Sequence, residues 1–152
     1  MKEKFSKRVQ AIIKQSKEEA IELGHSYVGS EHILLGLLKV NSGKGKKIFD
    51  IFNININEMI NSINTRIKSS GGTLNLGHLP LTRRAERILR NSYSEASSRG
   101  DSISDDIHLL LAMLKEPEGI ASRVLKSFSL DYETVSELIF SDDGSFLVEE
   151  IA

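Results

Sequence analysis

Two stretches of the chain are near copies of each other: "GHSYVGSEHILLGLLK" at 24–39 and "GDSISDDIHLLLAMLK" at 100–115. Sliding the sequence by 76 positions, the distance from Gly24 to Gly100, extends the match both ways without a gap. "FSKRVQAIIKQSKEEA" (5–20) lies over "LTRRAERILRNSYSEA" (81–96), and the match runs on to Phe52 over Phe128 and Ile54 over Leu130. Identical pairs include Arg8/Arg84, Ile12/Ile88, Ser16/Ser92, Glu19/Glu95, Ala20/Ala96, Gly24/Gly100, His32/His108 and Lys39/Lys115. An ungapped repeat of this length marks an internal duplication and predicts two structural units of like fold. Two copies are too few for an open solenoid, so the units are expected to pack together as one globular domain about a pseudo-two-fold axis.

Each unit reads as four helices, giving an all-α chain of eight. Phe5, Val9, Ile12, Ser16, Ala20 and Leu23 fall three to five apart and form a helical stripe. Gly24 suits a left-handed residue that ends this helix. Ser30 is the expected cap of the next, which buries Ile33, Leu34, Leu37 and Leu38. A third helix is expected from about Gly43 to Phe52. A fourth starts near Asn55, with Glu58 three residues on as a capping box. Thr82, Asp106 and Asp131 are the corresponding caps of the second unit. Repeat one is expected over about 4–67 and repeat two over about 81–140. The intervening 68–80, rich in Gly and Ser, reads as a linker. The domain is expected to span 1–145, with 141–152 a tail or the start of a linker.

Composition narrows the function. Among 152 residues, 20 basic and 21 acidic side chains give a net charge of −1, which argues against nucleic acid as a partner. The absence of cysteine removes disulfides, thiol catalysis and thiolate metal sites. No apolar run reaches membrane-spanning length and no signal peptide is recognisable, so a soluble cytoplasmic domain away from the membrane is expected.

Enzyme signatures fail on inspection. "SGKGKK" (42–47) lacks both the earlier glycine and the Ser or Thr of a phosphate loop, so no nucleotide binding is expected. Glu31 and His32 have no second His at helical spacing to make a metal site. His32 and His108 hold equivalent places, which points to a shared structural job at a helix start. No catalytic residue, metal or cofactor is assigned. The remaining polar signal lies at helix starts: Ser6, Lys7 and Arg8 in one copy, and Thr82, Arg83 and Arg84 in the other. Basic residues there oppose the helix dipole at a cost of up to about 1 kcal/mol, which hints at an acidic guest; a capped, solvated face is the alternative.

"FSKRVQAIIKQSKEEAIELGHSYVGSEHILLGLLK" closely resembles the first repeat of the N-terminal domain of Clp-family AAA+ unfoldases of the ClpC and ClpA type, and "EGIASRVLKSF" (118–128) resembles the end of the second. The resemblance covers roughly residues 4–140. It implies an eight-helix domain that brings substrate and adaptor proteins to a hexameric ATP-driven unfoldase. No nucleotide loop is present here, so the ATPase modules would belong to a longer chain. A stand-alone regulatory or adaptor-like stress protein built from the same repeats is the alternative.

In the ClpC branch the resemblance further implies pockets for phosphoarginine, a degradation mark on some bacterial proteins, and with them a bacterial cytoplasm. There, a Glu of the Gly-Thr-Glu-His motif meets the guanidinium, and a Thr near the start of the repeat's first helix lies near the phosphate. Carried over repeat by repeat, the first pocket would comprise Ser6, Lys7, Ser30 and Glu31. The second would comprise Thr82, Arg83, Asp105 and Asp106, but it departs from the motif: the Glu position is Ile107.

Overall fold

A computed structural model describes residues 4–67 and 79–140 of the protein. Eight helices follow one another in them: α1 (Lys7–Glu22), α2 (Ser30–Val40), α3 (Lys44–Ile51), α4 (Ile56–Arg66), α5 (Arg83–Ser98), α6 (Asp106–Lys115), α7 (Ile120–Ser127) and α8 (Tyr132–Phe140). Each helix of the second set begins at the residue that the sequence repeat lays over the start of its counterpart. The described residues are all-α, as expected. The tail, the domain end at 145 and most of the linker lie outside the described residues. At the linker's end, Leu79 is buried in the core and the Pro80 carbonyl accepts the Val28 N–H at 2.9 Å.

Local chemistry accounts for the helix ends. Ser6 Oγ accepts the Val9 N–H (3.1 Å) and Thr82 Oγ1 accepts the Ala85 N–H (3.0 Å), so α1 and α5 carry the expected caps. Asn55 and Asp131 likewise accept from the N–H groups of Glu58 and Thr134. Two expected caps are displaced by one residue. Ser30 and Asp106 are the first residues inside their helices, and the caps are Gly29 and Asp105. The reason is histidine. The Gly29 N–H donates to His32 Nδ1 and the Asp105 N–H to His108 Nδ1, each at 2.9 Å. The imidazole thus does what Glu or Gln does in a capping box, and it must sit three residues after the cap.

The C-terminus of α1 is closed by Gly24 at φ +74°, that of α5 by Gly100 at φ +83°. His25 and Asp101 then donate back to the Ala20 and Ala96 carbonyls at 2.9 and 2.8 Å, the return bond of a Schellman motif.

From Ser30 to Leu38 every residue of α2 is buried, and so is Asp106–Leu114 of α6. Helices apolar all round belong in an interior. They form the two central rods, with α1 laid on α2 and α5 on α6. The first crossing is tight: a Cβ on Gly36 would lie 2.6 Å from the Ile12 carbonyl oxygen and from Ser16 Oγ. Gly36→Ala is therefore expected to lose about 1–3 kcal/mol despite alanine's better helix propensity, because backbone cannot give way as a side chain can. Urea unfolding checks this; an unchanged or raised midpoint would contradict the close crossing.

The two repeats are joined reciprocally. Phe5 bridges to Ser104, and Leu81 bridges to Val28, both in parallel. The Ser6 N–H donates to the Ser104 carbonyl (2.8 Å) and the Thr82 N–H to the Val28 carbonyl (2.9 Å). The repeat offset turns the first pair into the second with partners exchanged, which is what a two-fold relation requires. The consequence is functional: the start of each repeat's first helix lies beside the start of the other repeat's second helix.

Candidate functional site

Two clefts open at these crossed helix starts. The first, about 570 Å³, lies among Gly29, Ser30 and Glu31 of the first repeat and Thr82 and Arg83 of the second, with Gly119 and Arg123 on its far side. The second, about 440 Å³, brings Ser6 and Lys44 together with Asp105, Ile107, Ile103 and Ile139. The expected grouping by repeat is thus corrected. Glu31 belongs with Thr82 and Arg83, and Ser6 belongs with Asp105. Lys7 is exposed on α1 and lines neither cleft. Asp106 is buried behind the second cleft rather than lining it. The sequence gives no sign of this crossing, because the bridges that cause it are backbone contacts.

In the first cleft Glu31 is the unusual group. It is 9% exposed, against 0–4% for Ile33, Leu34, Leu35, Leu37 and Leu38 after it, and its carboxylate has no hydrogen-bond or ion-pair partner among the described residues. Opposite stands the α5 N-terminus, where the Thr82 hydroxyl accepts one bond and retains its own proton to donate. The starts of α2, α5 and α7 all reach this cleft, and each supplies unpaired N–H groups and partial positive charge. Of the arginines here, Arg87 is tied to buried Glu116 by two bonds (2.9 and 2.7 Å), and Arg84 Nε lies 3.7 Å from the same carboxylate. Arg83 and Arg123 are exposed and make no ion pair among the described residues. The cleft therefore sets the unpaired Glu31 carboxylate on one wall against helix N-termini, the Thr82 hydroxyl and arginines on the other, where Glu118 is the one further carboxylate in the lining.

The second cleft is wired differently. Asp105 accepts from Ser6 Oγ (2.9 Å), from Arg8 Nη1 (3.1 Å to each oxygen) and from the Asp106 N–H (2.8 Å). Burial pushes its pKa up, but these donors and the Arg8 charge outweigh burial and hold it below the usual carboxylate range. Asp106, 1% exposed, accepts the Gly45 N–H at 2.7 Å, and burial pushes it up to about 6. Asp101 is paired with His108 Nε2 at 3.2 Å. The wall at Ile107 is apolar.

Arg87 and Glu116 carry no signal in the sequence, and Arg123 lies in the stretch 118–128 without being singled out; Arg8 and Arg84 are marked only as basic residues at helix starts that are identical between the copies. Among the described residues no group of three or more His, Asp or Glu is placed to hold a metal ion, and no helix is long and apolar enough to cross a membrane.

Comparison with known proteins agrees with the fold. The chaperone protein ClpC1, chloroplastic, of Oryza sativa subsp. japonica is 37% identical over 131 residues, 86% of this chain and 14% of that protein. The ATP-dependent Clp protease ATP-binding subunit ClpA homolog of Guillardia theta is 35% identical over 135 residues, 89% of this chain and 16% of that protein. The chain thus spans about a sixth or less of these relatives' length. The rice relative is chloroplastic by name, and such matches do not support the expectation of a bacterial source. Among solved structures, the N-terminal domain of the chaperone ClpD from Arabidopsis thaliana superposes with a TM-score of 0.68 at 17% identity, covering 98% of this chain and 95% of that one. The Hsp104 N-terminal domain from Candida albicans gives 0.75 at 16% identity, covering 92% of each. The sequence matches the family described as Clp repeat (R) N-terminal domain over residues 4–128, and again over 81–143, so the chain belongs to that family.

Proposed function

We propose that the chain is a docking domain that presents substrate and adaptor proteins to the ATPase modules of a Clp-type unfoldase, and that its first cleft reads phosphoarginine. One observation carries the finer part: the unpaired carboxylate of Glu31, open to the cleft, faces a capped helix N-terminus across it. A phosphorylated guanidinium has a planar cationic end and an anionic end a few ångströms apart. Its guanidinium would donate to Glu31, and its phosphate would meet the Thr82 hydroxyl, the first N–H groups of α5 and the charge of Arg83 and Arg123. Neither end alone matches both walls. The Clp N-domain relationship supports the coarser part, since the relatives that carry such a domain are named as chaperones and protease ATP-binding subunits.

Calorimetric titration with free phosphoarginine tests this reading, with arginine and inorganic phosphate as controls. One dominant site is expected in the wild type. Glu31→Ala removes a charge-assisted contact of about 1.5–3 kcal/mol, a loss of about tenfold to over a hundredfold in affinity. Folding stability is expected to change by about 1 kcal/mol or less, since a first-turn carboxylate without a partner contributes only its interaction with the helix dipole. Two equal sites in the wild type, or binding indifferent to Glu31, would refute the phosphoarginine reading.

A further inference from the structure

We infer that Gly29 is a specificity-determining residue of the first cleft, because it vacates the space into which the Glu31 carboxylate folds, and that Asp105, by filling the equivalent space, bars the second cleft from a guanidinium. The inference rests on the reading of the first cleft as a guanidinium site and identifies what separates the two clefts.

A glycine at position 29 is not demanded by the backbone. Its φ and ψ are −105° and −177°, extended values that any residue adopts, and Asp105 holds the same conformation at −118° and −179°. Nor is it demanded by capping, since glycine offers no side-chain acceptor and Asp is among the best caps. Space is the remaining reason. A Cβ built on Gly29 would lie 2.6 Å from Glu31 Oε1, 3.1 Å from Cδ and 3.2 Å from Oε2. The carboxylate therefore lies against the bare Cα of residue 29, and any side chain there displaces it from its place in the cleft. In the second repeat both members of the pair differ together: position 105 has gained a side chain and position 107 has lost its carboxylate.

Asp105 does not replace the missing Glu. Its oxygens are occupied by Ser6, Arg8 and the Asp106 N–H. A guanidinium entering the second cleft would have to compete with the Arg8 guanidinium for Asp105. A Glu placed at 107 would turn back toward the Asp105 side chain, meeting both its bulk and its charge.

The test uses phosphoarginine titration of four proteins beside the wild type. Gly29→Ala is expected to weaken the first site at least tenfold. Ile107→Glu alone is expected to gain no second site. Asp105→Gly with Ile107→Glu is expected to gain one, because Arg8, freed from Asp105, retains Asp106 at 4.0 Å. Wild-type affinity in Gly29→Ala, a second site in Ile107→Glu alone, or none in the double variant would each overturn the inference. Equal binding by wild type and Glu31→Ala would instead sink the phosphoarginine reading. A ligand-free measurement separates the two failures: the Glu31 side-chain carboxyl signal in NMR spectra should shift in Gly29→Ala, because the added Cβ displaces that flexible side chain. An unshifted signal would overturn the role of Gly29 whatever the cleft binds.

Discussion

Glu95→Ala is expected to cost about 3 kcal/mol or more of folding stability, whereas Glu19→Ala, the same change at the equivalent place in the first repeat, is expected to cost about 1 kcal/mol. Both glutamates are buried, and both meet a lysine in the last turn of the neighbouring central helix: Lys39 at 2.8 Å from Glu19 and Lys115 at 3.5 Å from Glu95. What differs is the rest of the cluster. Glu95 also accepts from Arg99 Nη2 (3.1 Å) and, on both oxygens, from the Tyr132 hydroxyl (2.9 Å each). The Arg99 side chain is 6% exposed and cannot return to water when its carboxylate is removed, so its desolvation is left without that compensation. Glu19 has Gln15 at 2.7 Å and Lys39, whose side chain is 40% exposed and can swing out to solvent. Urea denaturation of the two variants reads the difference. Helix propensity cancels between equivalent positions, so equal losses would mean that the Arg99 cluster contributes no more than an exposed ion pair.

The duplication carried most of the fold into view. Apolar spacing placed α1 and α2, and the offset then placed α5 and α6, because burial along a helix is written in periodicity. Helix caps were legible where a hydroxyl or carboxamide accepts the third N–H, as at Ser6, Thr82 and Asn55. They were misplaced by one residue at α2, where the cap is a glycine with no acceptor, and at α6, where two adjacent aspartates both suit a cap; in both, histidine is not the residue one looks for at the third position. Site residues were legible as a set and not as a grouping. Glu31 and Thr82 stand far apart in the chain and meet only because Leu81 bridges to Val28, a backbone contact that no side-chain pattern announces. The state of Asp105 was equally hidden, since its neutralising Arg8 comes from the other repeat.

Between pH 6.5 and pH 4, His32 and Asp106 are expected to cancel in the wild-type protein, and Asp106→Asn is expected to expose an acid-side loss of about 3 kcal/mol. Burial, with His25 beside it, depresses the His32 pKa from 6.5 to about 4, against the opposing pull of Glu19. Since Nδ1 accepts the Gly29 N–H, the ring proton sits on Nε2 and is donated to His25 Nδ1 at 2.7 Å. A second proton would place an N–H against the Gly29 N–H and break the closure of α2. The unfolded chain therefore takes up a proton near pH 6.5 that the folded chain refuses until about pH 4, and stability present above pH 6.5 is lost over that window, about 3 kcal/mol in all. Burial raises Asp106 from 3.8 to about 6; the Gly45 N–H and Arg8 oppose the rise and Asp105 adds to it. Here the folded state binds the proton first, so acidification through pH 6 toward 3.8 restores about 3 kcal/mol that ionisation had cost. The two slopes have opposite sign over nearly the same range. Asparagine at 106 keeps an acceptor for the Gly45 N–H and cannot titrate, so only the histidine slope remains. His108, also lowered by burial against the pull of Asp101, adds to it in the same direction. Urea unfolding of both proteins at pH steps from 7 to 4 decides the matter: the variant should exceed the wild type in stability at pH 7 and converge on it at pH 4, and parallel profiles would show that Asp106 does not carry the compensating proton.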